Sequence, residues 1–122
     1  MIMATVVKRK LSGTPAGNTA VLVVATATLG TTIHTAVAGT TAGTFDEIWL
    51  WAYNGHTAAV TLTIEFGGVT VPNQNIIMSL ASKSGLQLVV PGLILQNTLV
   101  VTAFASTANV ITLSGFVNSI TD

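Results

Sequence analysis

Cysteine is absent from this chain. That excludes disulfides, thiolate zinc sites and cysteine nucleophiles. Charge is almost absent as well. The charged side chains are Lys8, Arg9, Lys10 and Lys83 against Asp46, Glu47, Glu65 and Asp122, with no net charge. A folded chain of this mass exposes roughly 6,200 Å², so its charges lie about 770 Å² apart. In an average domain the spacing is about 200 Å². A standard interface covers ~800 Å² on each partner. Charge-free patches of interface size therefore follow from composition, and zero net charge favours self-association. This points to an oligomer or a component of a larger assembly. The competing reading is a monomer kept soluble by its threonines, serines and asparagines.

Long apolar runs are missing too. The most hydrophobic stretch, residues 20–29, is interrupted by Thr26 and Thr28. It is about ten residues long, where a spanning helix needs ~20. Lys8-Arg9-Lys10 ahead of Val21-Leu22-Val23-Val24 imitates a signal peptide. The apolar part is too short for one, and it stands too far from the charges. No window carries a sustained 3.6-residue apolar period, so the sequence predicts no amphipathic helix.

Threonine, valine, alanine and glycine dominate what is present. β-Branched residues suit strands, and period-two alternation recurs along the chain. Glycine, proline and asparagine punctuate it about every ten residues, as in sandwiches and barrels. The expected strands cover residues 19–28, 32–38, 45–54, 58–66, 76–80, 85–90, 99–105 and 110–117, with short pieces at 69–71 and 93–95. Asn54-Gly55-His56 reads as a tight turn that makes 45–54 and 58–66 a hairpin. Residues 1–18, with Gly13, Pro15 and Gly17, read as an N-terminal arm outside the core. The expectation is one domain over residues 19–122: an all-β, antiparallel, jelly-roll-like sandwich of about eight strands with an extended arm.

Alternation assigns faces. Ile48, Leu50 and Ala52 share one side of their strand; Glu47, Trp49, Trp51 and Tyr53 share the other. Val60, Leu62, Ile64 and Phe66 oppose Ala59, Thr61, Thr63 and Glu65. With the aliphatic sets inside, the aromatic set forms an amphipathic outer surface suited to a partner. Two other readings stay open. Trp49 and Trp51 fill the core, or they stack on sugar rings.

Catalytic and metal chemistry find little support. His34 and His56 fall in different hairpins, with only Asp46, Glu47 and Glu65 to join them, and neither HExxH nor paired Cys-x-x-Cys occurs. Gly-x-Ser-x-Gly is missing; Lys83-Ser84-Gly85 and Leu113-Ser114-Gly115 are strand or turn fragments. Asp46 and Glu47 are strand neighbours pointing to opposite faces, so they cannot act as a carboxylate pair. Gly67-Gly68 connects strands and precedes no helix, so it is no phosphate loop. No cofactor or metal is expected. Lys8-Arg9-Lys10 is the one charge cluster. Three cations give little counterion release, so nucleic acid is the least favoured of three readings; the others are an acidic patch on a partner protein and plain solvation.

The run from Asp46 to Asn54, followed by Thr61-Leu62-Thr63-Ile64-Glu65-Phe66-Gly67-Gly68, has a familiar pattern. So do Ser84-Gly85-Leu86 leading to Val89-Val90-Pro91-Gly92-Leu93, and Ala108-Asn109-Val110-Ile111 leading to Gly115-Phe116-Val117-Asn118. Together, across residues 26–120, these resemble the small β-sandwich decoration (cement) proteins of tailed-phage capsids. The resemblance implies a virion protein on the outer capsid surface. It would bind the major capsid protein across capsomer junctions as a homo-oligomer, dimer or trimer. No membrane partner and no catalytic residue is implied. Trp49, Trp51 and Tyr53 would anchor that interface, and Lys8, Arg9 and Lys10 would grip a neighbour. The alternative is a carbohydrate- or receptor-binding module of a phage tail or cell surface. A third is a pilus-like subunit whose arm serves as a donor strand.

Overall fold

Alternation is what builds the sheets. Phe45–Asn54 reads FDEIWLWAYN, and every second residue from Asp46 to Asn54 is buried. The computed structural model describes residues 3–122. Among them it forms nine strands and no helix. The strands are β1 (Thr5–Lys10), β2 (Ala20–Val23), β3 (Thr31–Thr35), β4 (Phe45–Asn54), β5 (Val60–Phe66), β6 (Asn75–Leu80), β7 (Gln87–Leu95), β8 (Val100–Ala105) and β9 (Ile111–Thr121). Accordingly, no described helix is long and apolar enough to cross a membrane.

All pairings are antiparallel, in two sheets. A five-stranded sheet runs β1-β9-β4-β7, with β2 also on β9; a four-stranded sheet runs β3-β8-β5-β6. β1 and β2 share one edge of β9 end to end. β1 takes the stretch Phe116 to Thr121, and β2 takes Ile111 to Ser114. The core lies between the sheets. Ile48, Leu50, Val90, Ile111, Leu113 and Val117 from one layer meet Ile33, Val60, Leu62, Ile64 and Val101 from the other, all buried. Each such aliphatic side chain contributes about 1.5–3 kcal/mol by leaving water. The all-β sandwich expected from the sequence is therefore present.

Several finer expectations are corrected. β4 and β5 are not a hairpin: β4 pairs with β7 and β9, β5 with β6 and β8. The chain at Gly55 and His56 crosses from one sheet to the other. Asn54 holds that crossing, donating to Ala58 O and Leu80 O while its own Oδ1 accepts from His56 N. Residues 69–71 form no strand. The strands expected at 85–90 and 93–95 are one strand, β7, which starts two residues late, at Gln87, and absorbs Pro91 and Gly92 as a bulge against β4. β9 reaches four residues beyond the expected 117.

The N-terminal stretch is not a free arm. Its first two residues lie outside the described part. Thr5–Lys10 is the edge strand β1, paired along its whole length with β9, and Leu11 is buried in the core. Both faces of β1 are exposed, so no second layer covers it.

Candidate interaction face

The outward side of the five-stranded sheet carries the aromatic residues. β-Pairing decides which side chains share that face. Trp49 stands opposite Phe116, Trp51 opposite Ser114 and Tyr53 opposite Thr112. On the other flank, Trp49 faces Pro91, Trp51 faces Leu88 and Glu47 faces Ile94. On the far side of β9, Lys8 is opposite Asn118 and Lys10 opposite Phe116. Because opposed residues in an antiparallel pair lie on one face, all of these form one continuous surface.

The three large rings cluster at its centre. Ring centroids are 6.3 Å apart for Trp49 and Trp51, 6.4 Å for Trp49 and Phe116, and 6.1 Å for Trp51 and Phe116. Their planes are inclined by 27° or less. Trp49 lies over the β7 bulge: a Cβ built on Gly92 would stand 2.8 Å from its Cζ2. The ring thus covers backbone that no side chain of its own strand covers. Leu88 and Ile94 extend the apolar area and are 49% and 57% exposed. Tyr53 is half-buried at one end, beside Gly55 rather than in the ring cluster.

Polar groups rim the other end. Glu47 Oε1 accepts from Trp49 Nε1 at 2.7 Å and from Asn118 Nδ2 at 3.0 Å. These two hydrogen bonds, Trp49's foremost, hold the Glu47 carboxyl below the ordinary 4.5 despite the opposing effect of burial. Lys8 Nζ sits 4.2 Å from the Phe116 centroid, a cation–π contact worth about 0.5–1 kcal/mol at an exposed site. Lys8 and Lys10 therefore border the aromatic face, and Arg9, opposite Val117, points to the other side of β1.

Sequence reasoning placed Trp49, Trp51 and Tyr53 on the outward face, and the structure puts them there. It missed Phe116, Asn118, Leu88, Pro91 and Ile94. The alternation of Phe116 and Asn118 around Val117 carried a usable signal. The β7 residues carried none, because the bulge at Gly92 breaks the period.

Two buried polar groups tie the fold together. His34 and Asp46 are both buried, with Nε2 2.6 Å from Oδ2. His34 Nδ1 accepts from Ser12 N, so the ring proton lies on Nε2 and is donated to Asp46. Ser12 Oγ accepts from Thr35 N. Serine, histidine and acid thus meet, yet the hydroxyl does not touch the ring, and neither ring nitrogen is free to take a proton from it. The group ties residues 11–13 to β3 and β4.

Glu65 is fully buried on the outward side of the four-stranded sheet. The loop between β2 and β3 folds over it. Oε2 accepts from Thr28 Oγ1 at 2.7 Å; Oε1 accepts from Gly30 N at 2.8 Å and Thr102 Oγ1 at 2.6 Å. Burial raises this carboxyl, but the bonds from Thr102, Thr28 and Gly30 together outweigh it and keep the pKa below 4.5. Among the described residues, no three of His, Asp and Glu gather to hold a metal ion. Comparison with family models, curated proteins and solved structures found no match.

Proposed function

We propose that this chain is a structural protein of a tailed-phage virion, seated on the outer capsid surface and bound to the major capsid protein across capsomer junctions. The observation that carries the reading is the outward face of the five-stranded sheet. Trp49, Trp51 and Phe116 form an uncharged centre, extended by exposed Leu88 and Ile94 and bordered by Glu47, Lys8 and Lys10. An aromatic centre with a polar rim is how binding energy concentrates in a protein interface. Strand order supports the same reading. If β1 and β2 are counted as two pieces of one strand on β9, the strand orders can be read as jelly-roll-like, and jelly rolls are used by capsid and lectin domains. Binding only the assembled shell would stabilise that shell by mass action.

The test is co-sedimentation of the purified chain with shells of the phage that encodes it, using wild type and a Trp49→Ala/Trp51→Ala variant. The variant should bind at least about tenfold more weakly, as truncating two central aromatics does. It should also keep a cooperative unfolding transition, because neither ring fills the core. No binding by wild type, together with a tryptophan fluorescence response to a glycan panel, would replace this reading with the carbohydrate-binding module. Unimpaired binding by the variant would move the interface to another face.

A further inference from the structure

An edge strand with unpaired N–H and C=O groups invites another strand, and proteins block such edges. Among the described residues, every sheet edge but one is blocked. β1 carries Lys8, Arg9 and Lys10, whose charges would repel the same strand of a second copy. β2 is only four residues long. β7 is broken by Pro91 and by Gly92 at φ +77°. β3 shifts register between Thr32 and His34, and its open side is occupied. Gly13 N donates to Ile33 O, and Thr35 N donates to Ser12 Oγ.

β6 has none of these devices. Asn75-Ile76-Ile77-Met78-Ser79-Leu80 contains no charge, proline or glycine, and it pairs with β5 over six residues without a register shift. Ile77 is 60% exposed. Beside it the two sheets part, leaving an open cleft of about 480 Å³ lined by Ile76, Met78 and Leu80 of β6 and by Leu88 and Val89 of β7.

Which backbone groups are free follows from β5. Phe66 N donates to Gln74 O, whereas Thr61 O accepts from Ser106 N. Even-numbered residues of β5 therefore turn their polar groups toward β6, and odd-numbered ones toward β8. With Leu62 opposite Met78 and Thr63 opposite Ile77, the N–H and C=O of Asn75, Ile77 and Ser79 point outward from the sheet edge.

We infer that β6 pairs with β6 of a second copy, antiparallel about a two-fold axis at Ile77. That register places Ile77 against Ile77, Ile76 against Met78, and Asn75 against Ser79. Ile76 and Met78 meet on one face of the joined sheet; on the other, Ile77 meets Ile77 and Asn75 meets Ser79, so like meets like. The three outward residues of each copy form about six backbone hydrogen bonds, two for each closely bonded pair. A neutral strand meets itself without repulsion, and a two-fold axis requires such self-complementarity. A charged extended peptide finds no countercharge on this strand, which favours a second copy as occupant. β6 is about 20 Å long, so the contact lies at the small end of stable interfaces and should be reversible. This inference is independent of the virion reading.

Sedimentation equilibrium over about 1–500 µM should show wild type passing from monomer to dimer and no further. Ile77→Lys puts a charge on an exposed position. It should stay monomeric throughout, with the melting temperature of dilute wild type. Val6→Lys, the same kind of change at an exposed position of the β1 edge, should dimerise as wild type does. Because the chain has no cysteine, Ile77→Cys gives a direct probe of register. Cα atoms about 5.5 Å apart in such a pair are within disulfide reach, so mild oxidation should yield a covalent dimer, reversed by reductant. A wild type monomeric at the highest concentration, an Ile77→Lys variant that still dimerises, loss of the dimer in Val6→Lys, or open-ended polymers would each overturn the inference.

Discussion

Glu65 shows how far a side chain's neighbours can depart from what its strand predicts. Alternation puts it on the outward face with Thr61, and Thr61 is indeed exposed. Glu65 is buried all the same, because the loop carrying Thr28 and Gly30 closes over it. Those residues are more than thirty positions away in sequence, so no local pattern could announce the contact. Gly30 is part of the reason the loop fits. A Cβ there would stand 2.5 Å from the Ala103 backbone. A buried carboxylate with three donors is costly to remove, since the donors are then left unpaired. Glu65→Ala should destabilise the fold by about 3 kcal/mol, and Glu65→Gln, which keeps one acceptor, by about half that. The midpoints of urea unfolding measure both, and faster amide exchange at Gly30 would place the damage in the loop.

Strand elements were more legible than their partners. Phe45–Asn54 is recoverable to the residue from alternation, because Ile48, Leu50 and Ala52 mark one apolar side at its middle; that the polar Asp46 and Asn54 are buried on the same side was not legible. Nor was its pairing. Period two says which side of a sheet a residue occupies and nothing about which strand lies alongside. A tight Asn54-Gly55-His56 turn between two alternating runs looks the same whether it closes a hairpin or crosses between layers. The edge strand β1 was hidden for a related reason. Both its faces are exposed, so it lacks the apolar alternation that marks a half-buried strand, and only its pairing with β9 makes it one. The β4–β9 pair, ten residues long, is the element most sensitive to change. Gly115 stands opposite Leu50, and a Cβ there would lie 1.9 Å from Trp49 O. The atom in the way is β4 backbone, paired with β9 along the whole strand, so it cannot swing aside as a side chain would. Gly115→Ala should therefore cost about 3 kcal/mol or more, the upper range of overpacking. Gly85 has φ +81° with open space around it, so Gly85→Ala should cost only about 1 kcal/mol of backbone strain. Thermal unfolding of the two variants side by side separates crowding from strain. Equal losses would mean that the sheet accommodates the extra methyl.

A molecule with so few charges concentrates its acid response in a small number of groups. Two of its four acidic side chains, Glu47 and Glu65, have carboxyls held below 4.5 by hydrogen bonds formed only on folding. In the unfolded chain both revert toward 4.5, so near and below that pH the unfolded state binds more protons than the folded one. Their contribution to stability is complete above about pH 5 and is lost as the pH falls through the folded values. Unfolding free energy should therefore decline from about pH 5 toward pH 2. The Glu65→Gln variant, less stable at neutral pH, should decline less steeply, and the two curves should converge in acid. Glu47 adds an optical signature. Its protonation weakens the bond from Trp49 Nε1, so tryptophan emission should shift while the chain is still folded, with a midpoint below 4.5, and Glu47→Gln should abolish that shift. Denaturant titrations at a series of pH values, followed by emission and by far-ultraviolet circular dichroism, distinguish the two events. Stability that stays level or rises into acid would show that the hydrogen bonds to these carboxylates survive protonation and carry no pH-dependent stability. Emission moving only with the loss of strand signal would assign the change to unfolding rather than to Glu47.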